Sequence, residues 1–339
     1  MKFNAVVGNP PYQLMASGDA NGSDPIYHLF IDAACQIGER VSFIHPARFL
    51  FNAGKTPKEW NQKMLNDEHY KVVKYWSNSA DVFPTVDIKG GVAVTYWDKT
   101  QSFGKIGVFV SYPELRSILE KVLKRNEKAL SIIMNPQNKY NFENLYRDYP
   151  HYKNIIGSDG MDKRLRPNAF DKLDIFSVTQ KEKNDLGIHG LIKNKRVIRY
   201  IPQQYIEKSI DLDKFKVLVP KANGSGAIGE VLSTPLIGEP LIGYTGSFIG
   251  IGAFNTKDEA ENAMKYIKTR FARTLLGTLK VTQDNPIDTW ANVPLQDFTS
   301  ASDIDWTQSI PDIDKQLYKK YNLSPEEIAF IESKIKAME

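Results

Sequence analysis

Short apolar runs alternate with amphipathic stretches along residues 1–99, and the two periods predict different elements. Phe3 to Gly8 (Phe-Asn-Ala-Val-Val-Gly) predicts a short buried strand. Pro10 and Pro11 close it, because two prolines fix φ, remove two backbone donors and forbid a regular helix at the strand's end. Ala16 to Asp24 is rich in Gly, Ser, Asn and Asp and predicts a mobile loop beside that strand end. Pro25 opens a helix over Ile26 to Ile37, with Ile26, Phe30, Ala33, Ala34 and Ile37 along one face. A second buried strand follows at Arg40 to Pro46, a helix from Pro57 to about Leu65, a third strand at Lys71 to Trp76 and a fourth at Gly91 to Trp97. Strand, helix, strand is the parallel-sheet unit, and two strands in succession suit an antiparallel pair at its end, so the class is α/β.

Beyond this region the pattern changes. Tyr112 to Met134, carrying Leu115, Ile118, Leu119, Val122 and Leu123, predicts one helix that closes a first domain at residues 1–134. Asn135 to Asn141 then reads as a linker into a second domain, residues 135–339, of short strands, scattered glycines and basic groups. A helix is predicted over Glu259 to Leu276. At the end of the chain Ser324, Pro325 and Glu327 are the N-cap, first helical position and reciprocal capping residue of another.

Composition narrows the choices only a little. A chain of 339 residues with 42% hydrophobic content has room for two domains with real cores, which excludes a disordered polypeptide. Lys and Arg total 44 against 40 for Asp and Glu, an excess that permits a polyanionic partner without requiring one. Cys35 stands alone in an apolar stretch, which leaves no disulfide framework or cysteine-rich zinc site and fits a reducing cytoplasm. No apolar run approaches a membrane span, and no signal peptide is expected.

The candidate chemistry sits at the end of the first strand, where open α/β sheets place their ligands. Asn9-Pro10-Pro11-Tyr12 resembles the catalytic motif of S-adenosylmethionine-dependent amino-methyltransferases, above all the DNA adenine-N6 enzymes. The residue types suit that reaction. An exocyclic amine conjugated to a purine is a poor nucleophile, so its lone pair must be localised by hydrogen bonds before it attacks a sulfonium methyl. The Asn9 carbonyl and the Pro10 carbonyl are acceptors for the two amino protons, and Tyr12 is a ring on which the base stacks. The resemblance implies that the adenine is flipped out of the duplex. It also implies a Rossmann-like sheet of which this chain holds the second half, with Asn-Pro-Pro-Tyr on the fourth of seven strands. Ser42 to Leu50 resembles the next family motif, which makes Pro46 and Phe49 the expected lining of the cofactor's adenine pocket. Asp81-Val82-Phe83-Pro84 with Val86 to Val92 resembles a later motif and makes Phe83 the expected second ring on the flipped base.

The second domain resembles the α+β target-recognition domain of TaqI-like restriction-modification methyltransferases, through Gly243 to Asn255, the helix after it, Lys280 to Gln283, Trp290 to Pro294 and the segment from Trp306 onward. The implied partner is double-stranded DNA. Lys163, Arg164 and Arg166, and Lys193, Lys195, Arg196 and Arg199, are the candidate DNA contacts, with Phe170, Tyr200 and Tyr205 near them. The family binds its cofactor chiefly through an earlier glycine-rich turn and an acidic strand end, for which there is no room before Asn9. The cofactor-binding half is therefore expected on a second chain or a missing amino-terminal segment. Phe248 to Phe254, weighed as a cofactor loop, lacks an acidic strand end after its helix, and Thr256 with Glu259 reads as a capping box. Two rivals remain: a DNA-specificity module without turnover, and a restriction endonuclease component using Asp87-Ile88-Lys89 or Asp312-Ile313-Asp314-Lys315. Neither acidic pair has an upstream acidic partner on a strand, and no resident metal site is expected.

Overall fold

The computed structural model describes residues 2–14, 24–224 and 228–338, so the loop expected at Ala16 to Asp24 lies, apart from Asp24, outside the described residues. By contact the chain divides into two compact units. One takes the residues up to Ile118 with Ile228 and Gly277–Thr282; the other takes Leu119–Gly224, Gly229–Leu276 and the chain from Gln283.

The first unit is a mixed α/β layer: β1 (Val6–Gly8), α1 (Tyr27–Ile37), β2 (Arg40–Pro46), α2 (Lys58–Asn66), β3 (Tyr70–Trp76) and β4 (Val92–Asp98). Its sheet has the order β1-β2-β4-β3. β1 runs parallel to β2, with Val6 opposite Val41 and Gly8 opposite Phe43, while β4 is antiparallel to both β2 and β3. Both the parallel unit and the antiparallel end are thus as the pattern predicts. The core lies between this sheet and the helices, where Ile31, Trp60 and Met64 pack with Val41, Phe43, Phe49 and Tyr70. Cys35 packs at its edge as a small apolar group, with burial pushing the thiol up to about 12.

Two expectations about this unit are corrected. The buried face of α1 is Tyr27, His28, Ile31 and Ala34, whereas Phe30 and Ile37 are exposed. Both flanks of the helix are apolar, so periodicity alone does not choose. The choice is made by Tyr27, whose ring stacks on that of His45 at 5.4 Å. The first strand is also not buried: Val7 is 78% exposed and Phe3 44%. Among the described residues β1 has a strand on one side only, so half of its surroundings is open.

The second unit begins within α3 (Pro113–Lys124) and continues through β5 (Met134–Asn135), α4 (Phe142–Asp148), α5 (Ala169–Lys172), β6 (Asp185–Ile192), β7 (Lys195–Pro202), β8 (Phe215–Pro220), β9 (Leu236–Gly238), β10 (Ile242–Tyr244) and β11 (Phe248–Phe254). It ends in α6 (Lys257–Lys268), α7 (Arg270–Leu276), α8 (Ile310–Lys320) and α9 (Pro325–Lys334). Two sheets, β10-β6-β7 and β5-β11-β8-β9, carry it. Lys193 and Asn194 both take positive φ (48° and 61°) and close the β6–β7 hairpin, in which Ile192 faces Lys195.

Here the long helix predicted over Tyr112 to Met134 stops at Lys124. Asn126, at φ 52°, reverses the chain, and Leu130–Ile133 forms a separate 3-10 turn. The segment read as a linker is part of the fold: Asn135 pairs with Gly250, Asn138 is buried, and Tyr140 bridges to Ile206. The helix predicted over Glu259 to Leu276 is α6 and α7, separated at Thr269, whose Oγ1 accepts from Ala272 N and so caps the second piece. No helix among the described residues is long and apolar enough to cross a membrane.

Candidate active site

The site is built from the carboxyl ends of β1 and β2 and the loop before β4. After β1 the chain leaves the sheet at Asn9 and Pro10, and Pro10 is buried while Asn9 is exposed. The segment is then fastened to the start of α1: Ile26 N donates to the Tyr12 carbonyl at 3.0 Å, and Leu14 N to that of Asp24 at 3.0 Å. Tyr12 is held half-buried by these bonds. Burial raises the pKa of its phenol, only partly opposed by the neighbouring Asn9 side chain, so Tyr12 offers a neutral ring.

Phe83 arrives from the other direction and meets Tyr12 edge-on, with ring centroids 6.5 Å apart and planes at 66°. Its loop is pinned at both ends. The buried Ser79 hydroxyl donates to the Val86 carbonyl and accepts from Ile88 N, each at 2.8 Å. Farther on, Arg48 Nε donates to the Lys89 carbonyl at 2.5 Å, and Ala47 N donates to the Gly91 carbonyl at 3.0 Å. Gly90 and Gly91 are required here: both have positive φ, and a Cβ on Gly91 would lie 2.1 Å from the Trp76 carbonyl oxygen. Sequence reasoning missed Arg48 and Ser79. The Gly90-Gly91 pair signalled a close approach, but not which side chain made it.

Tyr12 borders a cavity of about 360 Å³ that is also lined by Tyr27, Pro46, Arg48, Thr56 and Ile88. Of the two residues expected at the cofactor, Pro46 is on this wall. Phe49 is not: it is fully buried among Tyr27, His45, Trp60 and Tyr70, and has no surface to offer a ligand. Among the described residues the only carboxylate on the wall, Asp87, pairs with Lys89 at 2.7 Å on the exposed side of the loop. The cavity therefore fits apolar contact with an adenine through Pro46, and its described residues offer no acidic anchor for a ribose.

The candidate DNA residues fall into two groups within the second unit. Arg164 and Arg166 both engage the Asp162 carboxylate, while Lys163 turns away to Glu207, 2.6 Å from it. On the hairpin, Lys193 and Lys195 are exposed. Lys195 and Arg199 share one face of β7 and Arg196 lies on the other, donating to the Thr234 carbonyl at 2.7 Å. Arg199 is half-buried and donates to the Ile198 carbonyl at 3.1 Å. Tyr205 is buried against Asp148 and Tyr149 and has no face for a base. The Phe248–Phe254 segment is no loop but the buried strand β11, where a Cβ on Gly250 would meet the Tyr244 hydroxyl at 2.3 Å. Asp312 pairs with Lys315 at 2.9 Å on the surface, as Asp87 does with Lys89.

The likenesses to known proteins include the following three. An "Uncharacterized adenine-specific methylase" of Mycoplasma pneumoniae (strain ATCC 29342 / M129 / Subtype 1) is 31% identical over 100 residues, 29% of this chain and 24% of that protein. The chain thus spans about a quarter of the length of the curated relative it matches. The type IIL restriction-modification enzyme MmeI, solved in complex with DNA, aligns over 97% of this chain and 56% of its own at 10% identity and a TM-score of 0.41, too distant a likeness to carry an argument. The third match is to the family model described as "Eco57I restriction-modification methylase" and takes in the whole of the Tyr12–Phe83 site. That match covers residues 1–83, the segment that holds Asn9-Pro10-Pro11-Tyr12.

Proposed function

We propose that this chain carries the catalytic-motif half and the DNA-recognition part of a site-specific DNA adenine-N6 methyltransferase of a restriction-modification system. The observation that carries this reading is the meeting of Tyr12, the last residue of Asn9-Pro10-Pro11-Tyr12, with Phe83 beside a strand-end cavity that Tyr12 lines, inside the segment that matches the methylase family model. Parallel pairing of β1 with β2 and the antiparallel entry of β4 support a partial Rossmann-like sheet. In this reading the Asn9 side-chain carbonyl and the Pro10 carbonyl accept the two amino protons of a flipped adenine, which turns its nitrogen lone pair toward the methyl donor. Tyr12 and Phe83 supply the two ring contacts that hold the base, and Pro46 contributes one wall to the donor's adenine. S-adenosylmethionine, when bound, supplies the methyl group.

The edge of β1 that has no strand beside it among the described residues supports further polypeptide pairing there, in the same chain or a second one, as the carrier of the cofactor-binding half. Residues 135–339 are the proposed DNA-specificity domain and residues 1–134 the proposed catalytic-motif domain. In the assembled enzyme, Asn9→Ala is expected to abolish methyl transfer to adenine while leaving duplex affinity nearly unchanged, a loss on the order of a few kcal/mol confined to the transition state. Tyr12→Ala and Phe83→Ala are expected to lower the fluorescence gain of 2-aminopurine placed at the target position. Wild-type transfer by the Asn9 variant would reject the assignment.

A further inference from the structure

Asp162, Arg164 and Arg166 alternate along an extended segment, which puts their side chains on one face. Lys163 and Leu165 take the other, and Leu165 is fully buried. The segment is fixed from behind: Tyr140 N donates to the Lys163 carbonyl at 2.7 Å and Leu165 N to that of Asn138 at 2.9 Å. On the open face the buried Asp162 carboxylate receives Arg164 bidentately, Nε at 2.8 Å and Nη2 at 3.0 Å, and Arg166 Nε at 2.5 Å. One carboxylate shared by two arginines leaves a net positive cluster. The two arginine side chains are about half exposed, 57% and 49%, and border a cavity of about 190 Å³ whose other walls include Tyr140, Ile155, Ile156, Leu173, Asn168 and Lys172.

Resting on the reading of this unit as DNA-binding, the geometry points to Arg164 and Arg166, held by Asp162, as a fork that reads the acceptor edge of a guanine. Three features favour a base over a phosphate. A guanidinium matches O6 and N7 bidentately only if its plane is fixed, and the buried carboxylate fixes it. Beside Ser158, Asn168 and Lys172, the neighbouring wall carries Tyr140, Ile155, Ile156 and Leu173, which give a base ring apolar contact that a phosphate does not use. Lys193 and Lys195 on the hairpin tip, by contrast, are exposed and have no ion-pair partner among the described residues, as phosphate contacts need. Asp162 touches no base itself and is a positioning residue.

The test is selection of duplexes with a randomised core by the full chain, followed by sequencing of the bound fraction. Wild type is expected to enrich guanine at one or two positions. Arg164→Lys or Arg166→Lys should flatten that preference about tenfold while leaving affinity for the unselected pool nearly unchanged. Asp162→Asn should do the same, with thermal melting to confirm the fold. Lys193→Ala with Lys195→Ala should instead weaken binding to every sequence and reduce the salt slope by about two. Replacing the selected guanine by 7-deazaguanine removes N7 without touching the protein. It should cost wild type a similar factor and add nothing to the affected lysine variant. The proposal falls if the arginine variants weaken all sequences equally with a smaller salt slope, or if 7-deazaguanine binds as guanine does. A wild-type chain that binds no duplex would overturn the DNA-binding reading and the fork with it, whereas retained binding with unaltered preference overturns the fork alone.

Discussion

His45 shows at the scale of one residue how the strand that leads into the site is held. It is fully buried on β2: its Nδ1–H donates to the Pro46 carbonyl at 3.0 Å, Nε2 accepts from the Thr95 hydroxyl at 2.8 Å, and Tyr27 covers one face. Burial pushes its pKa down to about 4, because a charged imidazole there would lose water and oppose the Thr95 donor. The unfolded chain, at an ordinary pKa near 6.5, binds the proton first. Stability is therefore complete above about 6.5 and falls as pH drops toward 4, by about 2 kcal/mol at pH 5. Thermal melting of the first unit at pH 7 and 5 should show this loss, and His45→Gln should remove most of the difference. Equal pH sensitivity in the two proteins would place the effect elsewhere. The motif around His45 was readable as sequence, but its role was not, since it depends on Thr95 and Tyr27 from distant parts of the chain.

At the scale of elements, the places where sequence reasoning worked are those where a local rule decides. β2 spans the residues its apolar run predicts, and α9 starts with both halves of a capping box: the Ser324 hydroxyl accepts from Glu327 N, and the Glu327 carboxylate accepts from Ser324 N at 2.7 Å. Glu327 also pairs with Lys121 at 2.8 Å, which joins α9 to α3. Ser324→Ala should therefore destabilise the second unit by about 1 kcal/mol, and Glu327→Ala by more, because it removes the cap and the buried end of an ion pair together. Urea denaturation followed by a probe in that unit can rank the two; a larger effect at Ser324 would deny Glu327 its second task. The misreadings have the opposite character. Leu130–Ile133 carries an apolar run equally suited to a helix or to what it is, a turn leading into β5, and only the pairing of Met134 with Ile251 decides. The glycines of Phe248–Phe254, which the missing acidic strand end already argued against as a cofactor loop, are places where Tyr244 and Phe254 come too close for a Cβ.

At the scale of the whole molecule, the two sheet edges of the first unit are treated differently. β3, at one end, carries lysines, with Lys74 over the Trp76 ring at 4.7 Å, and a bulge between Val72 and Lys74, all of which discourage another strand. β1, at the other end, has no lysine and no proline within it, and Val7 stands open. An apolar edge of this kind invites a strand, so in solution β1 is expected to be paired, whether by a second copy, a partner subunit or another segment of polypeptide. Hydrogen exchange in the native protein at those Val6–Gly8 amides that point away from β2 should accordingly be slow, and exchange there near the intrinsic rate would show the edge to be simply open. The same strand governs the cofactor. The cavity beside Tyr12 offers Pro46 to an adenine, its only carboxylate among the described residues is already paired to Lys89, and the glycine-rich stretch at Gly250 is sealed inside β11. The purified chain should thus bind S-adenosylmethionine weakly in calorimetry and gain affinity only with the polypeptide that pairs β1. Micromolar or tighter binding by the chain alone would mean that its own residues complete a donor site, and that the open edge of β1 serves some other contact.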